Sequence, residues 1–327
     1  MKKRFLSAIL ALVLLCTPLL TGCGSNKEEI LIYTSVEDFV VEDLQARLAE
    51  EFPDYDITLE YLTTGNHAAR LLSEGKSTSC DISYNLEYAY LSQLEEKGLL
   101  ADLSGYDKSV YCQDTLVGDN YLVQSRNGGA IILNTDVLKE KNLPEPTSYE
   151  DLLKPEYKGL ISMPNPKSSG TGYMFLKSLV NAWGEEKALA YFDKLTENIL
   201  SYTSSGSGPL NALLQKEVAI GLGMTAPAVT QINQGASLKI TFFEEGSPFS
   251  LYGQAMIAGK ETRESVKQVF DFLLNTYAYE LSEKYFPEPL FKDKTFEVKN
   301  FPKNIVYSDM RGDTSDAKVA LLEKWAH

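Results

Sequence analysis

Histidine is almost missing from this sequence: of 327 residues, only His67 and His327 carry an imidazole. Cysteine is nearly as scarce, confined to Cys16, Cys23, Cys80 and Cys112. No His/Cys group has metal-ligand spacing, and no cysteine framework is implied. Positive charge is short as well. Lys and Arg number 31 against 45 Asp and Glu, a formal net charge of −14. No basic stripe interleaves with aromatics, so a nucleic-acid surface is excluded. The acidic balance is also poorly attracted to anionic lipid heads. It does not forbid an anionic ligand, because screening over ~8 Å leaves the local site in charge. Nucleophile elbows and His-Glu-x-x-His zinc motifs are lacking, which removes the usual hydrolase signatures. An exported hydrolase remains the non-transport alternative, and a structural or adhesive surface protein is a third class. Low-complexity tracts are absent and hydrophobic residues make up 44 %, so the body is globular throughout. Its length exceeds what one core usually holds, which implies two lobes.

What is present begins with a leader. Lys2, Lys3 and Arg4 precede an apolar stretch, Phe5 to Leu20, which is short for a membrane span and contains Pro18. Leu20-Thr21-Gly22-Cys23 then resembles the lipobox of a bacterial lipoprotein. That resemblance implies a signal peptide over residues 1–22, acylation of Cys23 and a polar tether over 23–29. The body would be held to the bacterial membrane by lipid alone, at the cell surface or in the periplasm. Cys80 and Cys112 remain; their spacing is not diagnostic, and two free thiols are favoured over the disulfide that an extracytoplasmic location allows.

The body alternates strand and helix. Glu29–Tyr33, Ile57–Leu62 and Asp81–Asn85 read as strands, each followed by a helical pattern. Strand–helix alternation makes an open, mainly parallel α/β sheet with right-handed crossovers. Ligands bind such sheets beyond the carboxyl ends of the strands. The loops there are Thr34-Ser35, Thr64-Gly65 and Asn85, with His67 read into the polar stretch before the second helix. Gly128-Gly129 interrupts two apolar runs and reads as the first crossing between lobes. The second crossing follows Pro248. Lobe one thus takes 30–125 with 254–275, lobe two takes 126–253, and 276–327 packs across both.

One stretch organises the second lobe. In Gly159 to Gly184 a short strand ends at Pro164, and an apolar helix face follows through Tyr173, Leu176, Val180 and Trp183. Between them stand Ser168, Ser169, Gly170 and Thr171. The free N–H groups and positive dipole end of a helix start, with hydroxyls crowded on it, seat a small anion. The same residues also serve as helix caps. The device repeats at Ser204-Ser205, before a helix at Pro209, and Met224-Thr225 forms a third crevice loop. Gly221-x-Gly223-x-x-Ala226 imitates a dinucleotide fingerprint, but Pro227 follows at once and no acidic residue stands at the right distance.

Together Ile32-Tyr33-Thr34-Ser35, Ile132-Leu133-Asn134-Thr135-Asp136, Pro155-Glu156-Tyr157-Lys158-Gly159, Asn165-Pro166-Lys167-Ser168-Ser169-Gly170-Thr171-Gly172 and Glu244-Glu245-Gly246-Ser247-Pro248 resemble an extracellular solute-binding protein of an ABC importer. The branch is the one holding ferric-iron, thiamine, phosphonate and sugar-phosphate binders. The resemblance implies a two-lobe type II periplasmic binding protein fold with a two-strand hinge. It also implies a monomer that closes on a small ligand and delivers it to a permease and its ATPase, without a cofactor. Ferric binders of this branch use adjacent tyrosines; here Tyr202 stands alone before Thr203-Ser204-Ser205, and no histidine follows Tyr33. A thiamine-type cation would call on Glu37, Asp38, Glu87, Tyr84 and Tyr88. The hydroxyl-rich helix starts favour an oxoanion, with Lys167 and Arg126 as charge partners, over ferric iron (direct or chelated) or thiamine.

Overall fold

The computed structural model describes residues 27–327, so the leader, the lipobox and Cys23 lie outside the described residues. The first lobe begins β1 (Glu28–Thr34), α1 (Asp38–Glu51), β2 (Tyr55–Tyr61), α2 (Thr64–Glu74), β3 (Ile82–Glu87), α3 (Tyr88–Glu96). β1 lies between β2 and β3, parallel to both. Each pair needs a crossover, which α1 and α2 provide. Val40, Leu44 and Leu48 recur at four-residue steps and bury one face of α1.

β4 (Leu122–Asn134) is a single strand of 13 residues. Gly128 and Gly129 lie inside it and do not interrupt it, contrary to the expectation from sequence. Their role is close approach: a β-carbon on Gly129 would fall 2.8 Å from both Met174 Cε and Pro248 Cγ. The strand changes partners there. Leu122–Gly128 pairs with a later strand of the first lobe, whereas Gly129–Leu133 pairs within the second.

The second lobe continues α4 (Thr135–Glu140), β5 (Ile161–Pro164), α5 (Gly170–Trp183), α6 (Glu185–Leu195), β6 (Ile199–Thr203), α7 (Gly208–Leu214), β7 (Ile220–Met224), α8 (Thr225–Asn233) and β8 (Leu238–Thr241). β9 (Phe249–Met256) then returns antiparallel to β3 and β4. The strand order is β2-β1-β3-β9-β4-β7-β5-β6, with β8 also on β4. The junction between the halves therefore runs through β4 and the approach to β9.

Two of the expected loops are shorter than the sequence suggested. α2 starts at Thr64 and α8 at Thr225, so Thr64, Gly65 and Thr225 are first-turn residues. Helix starts leave N–H groups unpaired, and small polar residues are tolerated there.

Each lobe has its own core. One gathers Ile32, Val40, Leu44 and Ile82 with Val269, Phe270 and Leu273, brought by α9 (Glu264–Phe272) and the turn that leads into α10 (Ala278–Lys284). The other gathers Leu133, Met163, Phe175, Phe192 and Leu222 with Leu321 and Trp325. Leu321 lies on α11 (Ser315–Lys324). The tail thus ends on the second core. It also reaches the first lobe, where Lys318 Nζ lies 2.5 Å from Glu87 Oε2. Cys80 and Cys112 are both free thiols.

Candidate functional site

The carboxyl ends of β1, β2 and β3 in one lobe and of β5, β6 and β7 in the other open onto a shared narrow cleft. Its wall takes Ser35, Val36 and Glu37 after β1, and Tyr61, Thr63 and Thr64 at the β2–α2 step. Asn85 comes from β3. Across the gap stand Ser168, Ser169 and Thr171 after β5, Ser205 and Gly206 after β6, and Met224 at the end of β7. Asn127 and Tyr252 come from the two strands that join the lobes, and Phe286 from beyond α10. The starts of α1, α2, α5 and α8 all face this space, each with the positive end of its dipole.

The lobes touch at the rim. Gly65 N donates to Ser168 O at 3.3 Å. Ser168 Oγ donates to Ser204 O at 2.9 Å, which fixes the second lobe's two loops to each other. Asn85 adopts a left-handed φ of 58° at a bulge between β3 and β9. Its Oδ1 accepts from Gln124 Nε2 at 3.1 Å, which leaves the Asn85 amide NH₂ as a donor. Thr63 Oγ1 and Asn127 Oδ1 are buried in the wall without a protein partner. Among the described residues no Lys, Arg or His is in the wall; its ionisable groups are Glu37, Tyr61 and Tyr252. Burial pushes the Glu37 carboxyl up to about 8, helped by the charge of Asp38. Burial also pushes the Tyr61 phenol up to about 12 and that of Tyr252 well above its ordinary value.

His67 does not sit in a loop. It lies within α2 and is buried, with Nδ1 2.7 Å from Ser35 Oγ and Nε2 3.0 Å from Ser83 Oγ. A neutral ring donates through one nitrogen and accepts through the other, so it fixes the Ser35 hydroxyl from behind the wall. Burial pushes the imidazole down to about 3. An unfolded histidine takes a proton below about 6.5, and the folded one does not until about 3, so stability is lost as pH falls through that window. The slope is about 1.4 kcal/mol per pH unit. Urea unfolding at pH 7 and pH 5 should therefore show wild type losing about 2 kcal/mol more than His67→Gln. Equal losses in the two proteins would remove this account of the ring.

Of the residues singled out from sequence, Ser35, Thr64, Asn85, Ser168, Ser169, Thr171, Ser205 and Met224 are in the wall. Thr34, Gly65, Gly170, Ser204 and Thr225 are not. Thr34 Oγ1 accepts from Val36 N inside the β1–α1 turn. Gly65 and Ser204 serve the rim contacts, and Gly170 packs beneath the Tyr252 hydroxyl. Thr225 is fully buried in α8. The two suggested charge partners are also elsewhere. Arg126 pairs with Asp114 at 2.5 Å and lies over the Phe249 and Tyr307 rings, and Lys167 is exposed. Sequence reasoning missed Thr63, Asn127, Gly206 and Tyr252, and it read Glu37 only as part of a cation wall. The signal for Thr63 and Tyr61 was their place at the carboxyl end of β2. Asn127 and Tyr252 sit in mid-strand and gave none.

Residues 81–305 match the family model described as bacterial extracellular solute-binding protein. The chain belongs to that family. Among solved structures it is similar to the periplasmic binding protein AfuA from Actinobacillus pleuropneumoniae, solved with exogenous fructose-6-phosphate bound. The two are 24 % identical at a TM-score of 0.78, with 91 % of this chain and 98 % of that one covered. Iron-bound HitA from Pseudomonas aeruginosa matches at a TM-score of 0.74 and 17 % identity, covering 92 % of this chain and 100 % of that one. These likenesses establish the two-lobe type II periplasmic binding protein fold. The Salmonella typhimurium phosphoglycerate transport regulatory protein PgtC is 22 % identical over 60 % of this chain and 48 % of its own length. The chain thus spans about half of that relative.

Proposed function

We propose that this solute-binding protein is the capture subunit of an ABC import system. It closes its lobes on a small oxoanion (a phosphorylated small molecule, phosphonate or phosphate) and hands it to a membrane permease driven by an ATPase. It works as a monomer outside the cytoplasm, tethered by lipid at Cys23. Among the described residues no helix is long and apolar enough to cross a membrane. The observation that carries the ligand class is the cleft wall itself: hydroxyls from both lobes stand on converging helix starts, with no fixed cation to pair them. The fructose-6-phosphate in AfuA and the phosphoglycerate in the name of PgtC support the same class.

The rival ligands fit the wall less well. Ferric iron needs hard anionic oxygens. Tyr61 and Tyr252 resist ionisation, and Tyr202 is turned away to bond Thr196 at 2.7 Å and pack on Trp325. No group of three or more His, Cys, Asp and Glu side chains suited to a metal occurs among the described residues. Of the acidic and aromatic residues that a thiamine-type cation would use, Asp38 is exposed and Glu87 is paired to Lys318. Tyr84 is in the core, and Tyr88 donates to Asp313 O. Only Glu37 is left in the wall. The Ser35–His67 contact does not make a hydrolase, because a ring pushed down to about 3 takes no proton at neutral pH, and Ser83 stands where a carboxylate would orient it.

A thermal-shift panel of phosphate, phosphonates, sugar phosphates, thiamine and ferric citrate tests the class. For the oxoanion found, Ser169→Ala with Thr171→Ala should weaken binding by at least about 100-fold, since two hydrogen bonds to a charged group are together worth about 3–6 kcal/mol. The urea midpoint should barely move. Unchanged affinity by calorimetry would refute the anion seat.

A further inference from the structure

Glu37 stands at the start of α1 on the first-lobe side of the cleft. Opposite it is the 205–207 turn of the second lobe. Glu37 Oε1 comes 3.2 Å from where a β-carbon on Gly206 would sit, and the Ser207 hydroxyl is close enough to favour its ionised form. Asp38 faces it from its own helix, Tyr61 from β2 and Tyr252 from β9. His67, neutral, is one residue removed through Ser35. Among the described residues the wall holds no Lys or Arg. With the lobes together, an ionised Glu37, half-buried in the wall, would lose much of its water, would face Asp38 and would repel an anion. With the lobes apart it would be solvated. Closing on an anion therefore sets a buried negative charge against one proton from solvent, and in a dry site the proton is the smaller cost.

This rests on the oxoanion reading. We propose that capture of an oxoanion is coupled to uptake of one proton by Glu37, which then donates its O–H to a ligand oxygen as a neutral carboxylic acid. The step balances as carboxylate plus proton plus dianion giving one closed complex, with the proton drawn from the buffer. It lets the site hold a full dianion without a cationic side chain. The linkage has a definite sign. Glu37 ionises at its ordinary 4.5 in water and is pushed up to about 8 by burial in the closed cleft. The affinity for a dianion that does not itself titrate should fall roughly tenfold per pH unit between about pH 5 and pH 8, and level off above.

The test is calorimetric titration of the full chain with sulfate and with glucose 6-phosphate at pH 7.5, in buffers of high and low ionisation enthalpy. Sulfate does not titrate there, and a phosphate ester with a second pKa of about 6 is almost wholly dianionic. Expected are buffer-dependent heats that correspond to more than half a proton taken up per anion bound, and no uptake in Glu37→Gln. In the anion-saturated wild type, the Glu37 carboxyl carbon should titrate at pH 8 or above by NMR, because a bound anion adds to the burial, which decides the matter if Glu37→Gln binds too weakly to measure. Binding with buffer-independent heats, uptake that survives in Glu37→Gln, or a carboxyl midpoint near 4.5 overturns the proton coupling and leaves the oxoanion reading standing. No binding of either anion between pH 5 and 9 overturns that reading and the coupling with it.

Discussion

Lys318→Met should lower the free energy of unfolding by about 3–5 kcal/mol, the cost of leaving one charge of a buried pair without its partner. Lys318 on α11 is 1 % exposed and Glu87 at the end of β3 is 0 % exposed. Their charged atoms are 2.5 Å apart, and Glu87 Oε1 accepts from Ser250 Oγ at 3.0 Å. The ammonium also lies 4.1 Å from the Tyr173 ring centroid and 4.3 Å from that of Tyr90. Burial is the largest single influence and would lower the lysine pKa, but the charge and hydrogen bond of Glu87 together with Tyr90 and Asp313 hold the group above its ordinary value. Removing the lysine strands Glu87 in a dry site, where Tyr90 and Tyr173 offer it no countercharge. Lys318→Met with Glu87→Gln should restore part of the loss, because the charge of Glu87 is gone while the buried Asp313 still lacks the lysine beside it. Urea unfolding of both proteins gives the answer. A single-variant loss below about 1 kcal/mol would mean that the pair contributes little to the fold.

That pair also shows where the sequence stops being readable. The alternation of strands and helices is a local property, written in steps such as Val40, Leu44 and Leu48, and so is the cluster of hydroxyls before α5. The partner of an acidic side chain is not local. Glu37, Asp38 and Glu87 look alike as polar residues near helix starts, yet one is in the cleft wall, one is exposed and one is neutralised. What separates Glu87 from the others is a lysine 231 residues away on a tail with no periodic pattern strong enough to place it. Gly128-Gly129 misled for a related reason. A glycine pair is an ordinary break signal, and only the packing of Met174 and Pro248 against Gly129 shows that the pair lets a strand pass close to its neighbours. His67 was hidden in the same way, because the two serines that bond it come from β3 and from the turn after β1.

Gly65→Ala should weaken ligand capture about 30-fold while leaving the ligand-free melting temperature unchanged or slightly higher, for a penalty of about 2 kcal/mol on the closed state. Gly65 sits in the first turn of α2, and alanine is the better helix former there by up to about 1 kcal/mol. The obstacle belongs to the other lobe. A β-carbon would fall 2.8 Å from the Lys167 carbonyl oxygen and 3.5 Å from Ser168 Cα, beside the bond from Gly65 N to Ser168 O. On the proposed mechanism that contact forms only when the lobes come together, so the clash falls on the closed state alone, and the apparent dissociation constant rises as the closed fraction falls. Gly172→Ala makes the contrast, since its β-carbon would meet the Pro164 carbonyl oxygen at 2.4 Å within the second lobe. There the fold itself should suffer whether or not ligand is present. Calorimetric affinities and ligand-free melts of the two variants separate the cases. If Gly65→Ala binds as wild type does, or melts as low as Gly172→Ala, then the rim contact is part of the resting fold and capture does not depend on closing it.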